Sequence, residues 1–397
     1  MSKVAKSLSA TTALILLSGC ASLDPPENLE PVKQGDAYQA QYRAPNAAED
    51  EEGFLRSARM NAQKCLAPRG GDGGKGTSRL IGERLTRNDL VEIFVSGDDT
   101  FSGPYVVSRD GTLKLPFLDS VRAQGRLTTE IETDIAAKLR AREFFTEVPS
   151  VSVRVRDFAS VTIGVSGAVF EPHAVEIGSV TGKDIDARRQ DALGASSEGR
   201  NLSAALRAAG GVRPDADLSA IEVARGAMVY KIDMRGVFEG HNNVDIMLLS
   251  GDQVRVPSRR CFQDDLMRPG PISPPGISLF VSNLTQPATG NAPSANGRET
   301  RQVPYGTRFL QAAINMNCVG GAKTTSANRS VVLFSRNPET QVSVVIERNI
   351  EQLMRRSERD DFDPFLLPGD AMACYDSSVT NVAEVGRVLG VLSLGTL

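Results

Sequence analysis

The sequence predicts a mixed α+β chain built from small, strand-rich modules. Apolar and polar residues alternate from Val91 to Val95, which is the period of a half-buried strand. Farther along, an apolar residue recurs every four positions from Ile131 to Leu139, which is typical of an amphipathic helix. Aromatic residues make up 5% of the chain, tryptophan is absent, and there are 36 glycines and 21 prolines. This composition suits several small β-rich domains better than one large core.

Length and charge narrow the function classes. The chain has 397 residues, which is enough for two to four small domains. Its formal net charge is −3, so there is no electrostatic reason to expect nucleic-acid binding. After residue 20, no run of about twenty apolar residues occurs, and we therefore expect a soluble body.

The first 20 residues have the pattern of an export signal. Lys3 and Lys6 precede an apolar run at 8–17, which at about ten residues is too short to cross a bilayer. The run ends in Leu17-Ser18-Gly19-Cys20, which resembles a lipobox, the motif in which the cysteine is acylated and becomes the new N-terminus. We therefore predict a lipoprotein signal peptide over residues 1–20. The alternative is an ordinary secretory signal that contains a cysteine.

Lipidation of Cys20 would set the location of the protein. Two or three acyl chains hold a protein to a membrane far more firmly than one. An aspartate after the cysteine would resemble an inner-membrane retention signal, but Ala21 occupies that position. We therefore expect a lipid-anchored protein of the outer membrane with its body in the periplasm.

Residues 21–80 are predicted to form a flexible tether. This segment is rich in Pro, Glu, Asn, Ala and Gly, and residues 69–76 hold too little apolar surface to order themselves. The glycine run is not a phosphate loop, because no apolar strand precedes it and Lys75 is followed by Gly76 rather than by Ser or Thr. One short helix is expected within residues 49–65.

Residues 81–158 predict a small sheet covered by one helix. Asp110-Gly111 lies between two alternating segments and predicts a type I′ hairpin turn. A helix is expected from Arg126 to Arg142, with Thr129 and Glu132 as its capping box. A strand of alternating valines follows at 151–155. A helix that returns onto a small sheet makes an α+β domain.

This order of elements resembles the polysaccharide export domain of the outer-membrane polysaccharide export lipoproteins. The resemblance rests on the 90–95 strand, the Asp-Gly turn, Leu113-Lys114-Leu115-Pro116, the helix, and the strand after Pro149. The sequence departs from the family at Arg87-Asn88-Asp89-Leu90, where the family usually has Pro-Gly-Asp-Leu. We expect this to alter the turn but to leave the following strand in place.

Two later segments, 159–260 and 276–376, repeat one pattern. Each has a strand pair, a helix followed by Gly-Gly, two more strands, and a Gly-Asp turn before a closing strand. Gly210 is expected at the left-handed C-cap of the first helix, and Gly320-Gly321 after the second. The order resembles the soluble-ligand-binding β-grasp module, whose copies in this family chiefly stack subunits into rings. Residues 284–302 form a long insertion in the first hairpin of the second copy.

An even number of cysteines after Cys20 predicts two disulfides, although four reduced thiols are the alternative. They are Cys65, Cys261, Cys318 and Cys374. Three connectivities are open. Aligning the two β-grasp copies puts Cys374 opposite Val256 and Cys318 opposite Ala208, both core-type positions. This resemblance implies a Cys318–Cys374 bridge and leaves Cys65 to pair with Cys261.

The last 21 residues, 377–397, predict an amphipathic helix with a wide apolar face. Asn381, Glu384 and Arg387 recur every three residues and form a narrow polar stripe. From Val379 to Leu394 such a helix would be about 24 Å long, slightly short of a bilayer core of about 30 Å. In the best-known family members a ring of such helices forms the outer-membrane pore, which makes the polar stripe lumen-facing. The alternative is a helix packed on the protein body.

We find no catalytic, cofactor-binding or metal-binding constellation in the sequence. His173 and His241 each lie in a predicted turn, without a second histidine at metal-ligand spacing. The acidic clusters at 49–52 and 358–363 are interpreted as solvated charge, because a glycosidase needs two carboxylates held across a rigid cleft. An enzyme acting on glycans is therefore the least favoured function.

The favoured function is export of capsular polysaccharide or exopolysaccharide through an oligomeric ring in the outer membrane. Since no nucleotide-binding motif is found, the energy for export must come from an inner-membrane partner. The resemblance implies that this partner is a polysaccharide co-polymerase. The alternative is a periplasmic ligand-binding or scaffold lipoprotein that uses its β-grasp repeats without forming a pore.

Overall fold

The computed structural model describes residues 27–45, 56–70, 80–178, 198–241, 245–283, 301–316, 318 and 329–375. The chain divides into two compact units. The first unit comprises Cys65–Arg260 and Arg268–Pro275. The second unit comprises Met1–Lys64, Cys261–Met267 and Gly276–Leu397.

The described residues form a mixed α+β fold, as the sequence predicted. The strands are β1 Leu90–Val95, β2 Asp98–Val106, β3 Thr112–Leu113, β4 Val121–Arg122, β5 Val151–Asp157, β6 Val161–Gly167, β7 Ala174–Ile177, β8 Ile221–Arg225, β9 Met228–Ile232, β10 Gln253–Val256, β11 Ile277–Asn283, β12 Arg301–Val303, β13 Ser330–Arg336, β14 Ser343–Asn349 and β15 Ala371–Tyr375. The helices are α1 Ser57–Gln63, α2 Thr128–Ala141, α3 Leu202–Ala208, α4 Gly236–Glu239, α5 Phe309–Asn315 and α6 Ile350–Arg355.

A three-stranded antiparallel sheet in the order β2-β1-β5 begins the first unit. The inward side chains of β1 pack against α2 and form one buried cluster. Ile131, Ile135 and Leu139 of α2 are all 0% exposed. The apolar residues that recur every four positions therefore form the buried face of the helix. We call residues 80–158, which hold this sheet and helix, the three-stranded module.

Two local predictions for this module are wrong. A type I′ turn needs positive φ at both central residues, but Gly111 alone in the Ser108–Thr112 turn has positive φ, at 79°. The Asp110 carboxylate instead accepts hydrogen bonds from the backbone and hydroxyl of Thr112, at 3.0 and 2.7 Å. The capping box also lies elsewhere: α2 begins at Thr128, and Glu130 accepts from the Leu127 N–H at 3.1 Å.

The two five-stranded sheets have the same strand order. The first is β7-β6-β10-β8-β9, in the first unit, and the second is β12-β11-β15-β13-β14, in the second unit. In both, the closing strand is parallel to one neighbour and antiparallel to the other. The repeat visible in the sequence therefore corresponds to one mixed-sheet topology used twice.

The two repeat helices end in related ways, the first at the glycine pair that the sequence predicts and the second earlier than predicted. After α3, the N–H groups of Gly210 and Gly211 bond to Arg207 and Leu206 at 3.1 and 2.9 Å, which is a Schellman C-cap. Gly210 has φ 76°, as predicted. In the second copy α5 already ends at Asn315, and the Cys318 N–H bonds to Ala313 at 3.0 Å. Gly320 and Gly321 lie outside the described residues.

This helix end corrects the alignment of one cysteine. Cys318 takes the hydrogen-bonding place of Gly211 rather than that of Ala208. The sheet registers put Cys374 at the place of Val256, as the sequence alignment had it. The structure joins Cys318 to Cys374, with Cα atoms 6.0 Å apart. Cys65 and Cys261 are each disulfide-bonded as well.

Residues 27–45 and 56–64 are packed into the second unit, so the prediction of a flexible tether is wrong for them. The six residues from Ala37 to Tyr42 are each at most 9% exposed. α1 lies beside them, and the Asn61 side chain accepts from the Ala40 N–H at 2.8 Å. The composition of the segment did not reveal this, because its partners lie far along the chain.

Several predictions fall outside the described residues: Cys20, the acidic run at 49–52, the insertion up to residue 300, and the helix at 377–397 with Asn381, Glu384 and Arg387. Within the described ranges, no helix has the length and apolar character needed to cross a membrane.

Candidate functional site

One turn occurs three times in the described chain, each time directly before a sheet strand. The three copies are Thr86–Asp89, Leu249–Asp252 and Leu367–Asp370. In each, the N–H of the aspartate bonds to the carbonyl three residues earlier, and the carboxylate accepts the N–H of that earlier residue at 2.7 to 2.9 Å. We call this arrangement the aspartate turn. It fixes the point at which each sheet strand begins.

The residue before the aspartate has positive φ in all three turns. Gly251 and Gly369 have φ of 94° and 87°, and Asn88 has φ of 69°. Asparagine tolerates this left-handed region better than most residues with a side chain. Asn88 can therefore stand at the place where the export family usually has glycine. The turn is kept, and β1 starts directly after it at Leu90.

In the first aspartate turn, Asp89 forms a buried ion pair with Arg200. Its Oδ1 accepts from Arg200 Nη1 at 2.8 Å and from the Ala159 N–H at 3.0 Å. The side chains of Asp89 and Arg200 are 0% and 1% exposed. Burial raises the pKa of Asp89, while the Arg200 charge and the two backbone N–H groups oppose that shift. Arg200 also lies over the Phe158 ring, 5.0 Å from its centroid.

This ion pair connects the three-stranded module to the first five-stranded sheet within the first unit. Arg200 lies two residues before the start of α3, and Asp89 lies directly before β1. The connection is reinforced at the second aspartate turn, because Arg87 donates to the Ser250 hydroxyl at 2.7 Å and the Ser250 N–H bonds to the Thr86 hydroxyl at 3.3 Å. The geometry of the module therefore depends on residues more than a hundred positions away.

The other two aspartates have different partners at one equivalent strand position. Arg225 of β8 binds Asp252 with both its Nε and Nη2, at 3.0 and 2.7 Å. By sheet register, Ser335 of β13 stands where Arg225 stands in the first copy. Asp370 therefore has a hydroxyl rather than a guanidinium beside it, and burial raises its pKa to about 7. The Ser335 hydroxyl also accepts from the buried Tyr42 hydroxyl at 2.9 Å.

The outer face of the three-stranded sheet carries both apolar and charged side chains. Phe94 and Val106 are 59% and 52% exposed on this face. Between them Glu92 pairs with Arg156 at 2.9 Å, and both side chains are more than a third exposed. An exposed pair of this kind adds little to stability. The face is thus a surface of mixed character rather than a buried reaction site.

Comparison with known families identifies this module. Residues 82–156 match the model of the polysaccharide biosynthesis/export protein family. The match covers about a fifth of the chain and contains the first aspartate turn, α2 and all but the last residue of the three-stranded sheet. The resemblance inferred from the sequence is therefore confirmed for this export domain. A search among curated proteins gave no match to the chain.

The export domain supports a role in polysaccharide export or biosynthesis. In this domain Asp89 is engaged by Arg200 and by backbone N–H groups, and the outer-face carboxylate of Glu92 pairs with Arg156. Its buried charges position the sheet.

The predicted histidines lie at the surface of the first unit. His173 is exposed between β6 and β7, where its Nδ1 lies 2.6 Å from the Glu171 carbonyl. His241 follows α4 and pairs with Glu239 at 3.2 Å. In the described part of the chain no group of three or more potential metal ligands comes together.

The prediction that the acidic cluster at 358–363 is solvated charge is wrong for two of its residues. Asp361 and Asp363 are 4% and 5% exposed. Asp361 accepts from the Ser57 N–H at 2.7 Å, and Asp363 accepts from the Leu310 N–H at 2.8 Å. Burial raises the pKa of Asp363 to about 6. These carboxylates hold backbone segments together.

Sequence reasoning missed Arg200, Arg225 and the buried Tyr42, because their partners are distant in the chain. The aspartate turn itself carried a signal: Asn-Asp or Gly-Asp stands before the strand in all three copies. Comparing those three positions would have singled out Asp89, Asp252 and Asp370 as buried carboxylates in need of partners.

Proposed function

We propose that this chain is a lipid-anchored outer-membrane protein whose copies close into a ring that exports capsular polysaccharide or exopolysaccharide. The observation that carries the proposal is the export domain at residues 82–156. Its position, ahead of two sheets with one common strand order, agrees with the domain sequence expected of export lipoproteins.

The proposed mechanism is passive. A wide polar lumen lets a hydrated sugar chain pass without strong binding, and an inner-membrane polysaccharide co-polymerase supplies the energy. In this proposal the chain is not an enzyme and needs no cofactor. The buried carboxylates support this part of the proposal, because they have a structural role. Asp89, Asp252 and Asp370 each accept a backbone N–H within the same kind of turn.

The membrane end of the channel is assigned to residues 377–397. Their apolar face would meet lipid, and the stripe of Asn381, Glu384 and Arg387 would line the lumen. Cys20 would carry the acyl chains that fix the protein to the outer membrane. The sequence pattern supports both assignments.

A complementation experiment tests the proposal. A strain lacking the gene receives the full chain, the chain without residues 377–397, or Cys20→Ser, and surface polymer is measured. We expect polymer only with the full chain, provided that immunoblots show equal amounts of each protein. Normal secretion after the deletion would contradict a pore and favour the periplasmic scaffold.

A matched pair of variants tests the lumen without shortening the chain. Replacing Asn381, Glu384 and Arg387 together by leucine removes the polar stripe, whereas N381Q/E384D/R387K preserves it. We expect the leucine variant to lose secretion and the polar variant to retain it. Equal secretion by the two variants would argue against a lumen lined by these residues.

A further inference from the structure

The N-terminal residues 27–45 are an integral part of the second unit. The Gln39 amide makes two hydrogen bonds of 2.9 Å with the backbone of Phe365, one to its carbonyl and one from its N–H. Gln39 is 0% exposed. Arg348, which is 4% exposed, donates to the carbonyls of Gln41, Tyr42 and Arg43 at 3.1, 3.2 and 2.8 Å. Bonds of this kind hold a segment firmly, since breaking them leaves buried polar groups unpaired.

The attachment extends to the beginning of the described chain. Asn28 pairs with the backbone of Val345, donating from Nδ2 at 3.1 Å and accepting at Oδ1 at 2.6 Å. Val345 lies on β14, the edge strand of the second five-stranded sheet. The Asn28 side chain thus bonds to the free edge of that sheet as a neighbouring strand would. Glu30 also pairs with Asn337, which precedes the hairpin turn between β13 and β14.

The distance from this attachment to the proposed lipid anchor is short. Asn28 lies eight positions after Cys20 in the chain. Fully extended, eight residues span at most about 29 Å. A flexible tether over the whole of residues 21–80 would let the body move far from the membrane. Because the chain is attached to the second unit from Asn28 onward, only the short connection before Asn28 sets that distance.

We infer that this short connection keeps the edge of the second five-stranded sheet at β14 close to the lipid surface of the outer membrane, within about 29 Å. The inference rests on the proposed lipidation of Cys20 and deepens it. The partner is the headgroup layer of the leaflet that takes up the acyl chains. The lipid anchor therefore positions the second unit directly.

Energy transfer measures this distance in the acylated protein, both full-length and without residues 377–397, because that segment is the other proposed attachment to the membrane. A fluorescent non-canonical amino acid replaces Ser343, an exposed residue of β14 that is two positions, or about 7 Å, from Val345. The protein is reconstituted into vesicles whose headgroups carry an acceptor. One variant has 20 Gly/Ser residues inserted between Asp24 and Pro25. A matched control has the same insert between Gly182 and Lys183, in the first unit.

In the proteins without residues 377–397, we expect strong transfer in the parent and in the matched control, and at least a twofold loss when the N-terminal connection is lengthened. In the full-length proteins the proposed membrane segment would also hold the second unit, so a smaller loss is expected there. Equal transfer in all three proteins would overturn the inference, because the connection would not set the distance. Weak transfer from an acylated, vesicle-bound parent would overturn it too, while leaving lipidation intact. Absence of the acyl mass in the intact protein would overturn both the lipidation and the inference.

Discussion

Asp89, Asp252 and Asp370 share one turn but have different neighbours, and these neighbours determine how each carboxylate affects stability. Arg200 and Arg225 neutralise the first two, while the third has Ser335. Removing the cation from a buried ion pair strongly lowers the stability of the protein, because it leaves a buried charge unpaired. A buried carboxylate without a cation has a raised pKa instead, and it makes the stability depend on pH. Each case leads to its own prediction.

Arg200→Met should destabilise the protein by about 3–5 kcal/mol, because it leaves the buried Asp89 carboxylate without its cation. The control is Arg142→Met, whose partner Asp119 is 70% exposed and whose loss should have little effect on stability. Denaturant unfolding of the purified proteins measures both. The double variant D89N/R200M should recover part of the loss. Equal effects of the two arginine substitutions would contradict the buried ion pair.

The stability of the second unit should fall as the pH rises from about 4 to 7. Burial raises the pKa of Asp370 from 3.8 to about 7, so in that window the folded state holds a proton that the unfolded state has released. Stability then decreases by at most about 1.4 kcal/mol per pH unit for this group. Asp363, with its pKa raised to about 6, acts in the same direction.

Asp370→Asn isolates this effect, because the amide oxygen can still accept the Leu367 N–H. The variant should resemble the parent near pH 4 and become progressively more stable than the parent toward pH 8. Thermal unfolding at several pH values measures the difference. A difference that does not change with pH would show that Asp370 is not protonated in the folded protein near neutrality.

Among the secondary-structure elements, the end of α3 and the aspartate turn before β10 each need a glycine, but for separable reasons. Gly211 has φ 82°, and a Cβ there would lie 2.3 Å from the Pro274 backbone nitrogen. Gly251 also has positive φ, but a Cβ there would meet nothing within 4 Å. Gly251→Ala should cost about 1–2 kcal/mol for the backbone conformation alone. Gly211→Ala should cost clearly more, and equal losses in denaturant unfolding would contradict the close approach.

The attachment of residues 27–45 to the second unit leads to a second prediction. Gln39→Ala should destabilise the second unit by about 2 kcal/mol or more, since the N–H and carbonyl of Phe365 lose their partners in a buried site. Lys33→Ala, at an exposed position of the same segment, is the control and should have little effect. Limited proteolysis and thermal unfolding measure both. Unchanged stability in the Gln39 variant would contradict the docked segment.

The elements that the sequence predicted well are those with local signals. The strands β1 and β5 and the helix α2 follow from the local periodicity of apolar residues, and the cap at Gly210 follows from a Gly-Gly pair. The turn at Asp110 was placed correctly but given the wrong type, because only Gly111 adopts positive φ. The prediction of a flexible tether is wrong for residues 27–45. Their composition gives no information about the residues they pack against, which lie about 300 positions later in the chain.

At the scale of the whole molecule, the export domain and the two matching sheets suggest repeated building blocks. A ring needs the same surfaces on every copy, since each subunit contacts the next in the same way. The proposed anchor at Cys20 would hold all copies in one membrane plane. Ring closure is the property on which the export proposal depends most.

Electron microscopy of the detergent-extracted, lipidated protein tests ring closure most directly. The account predicts closed rings of uniform subunit number with a hollow axis. Single particles of monomer size, persisting at high protein concentration, would contradict it.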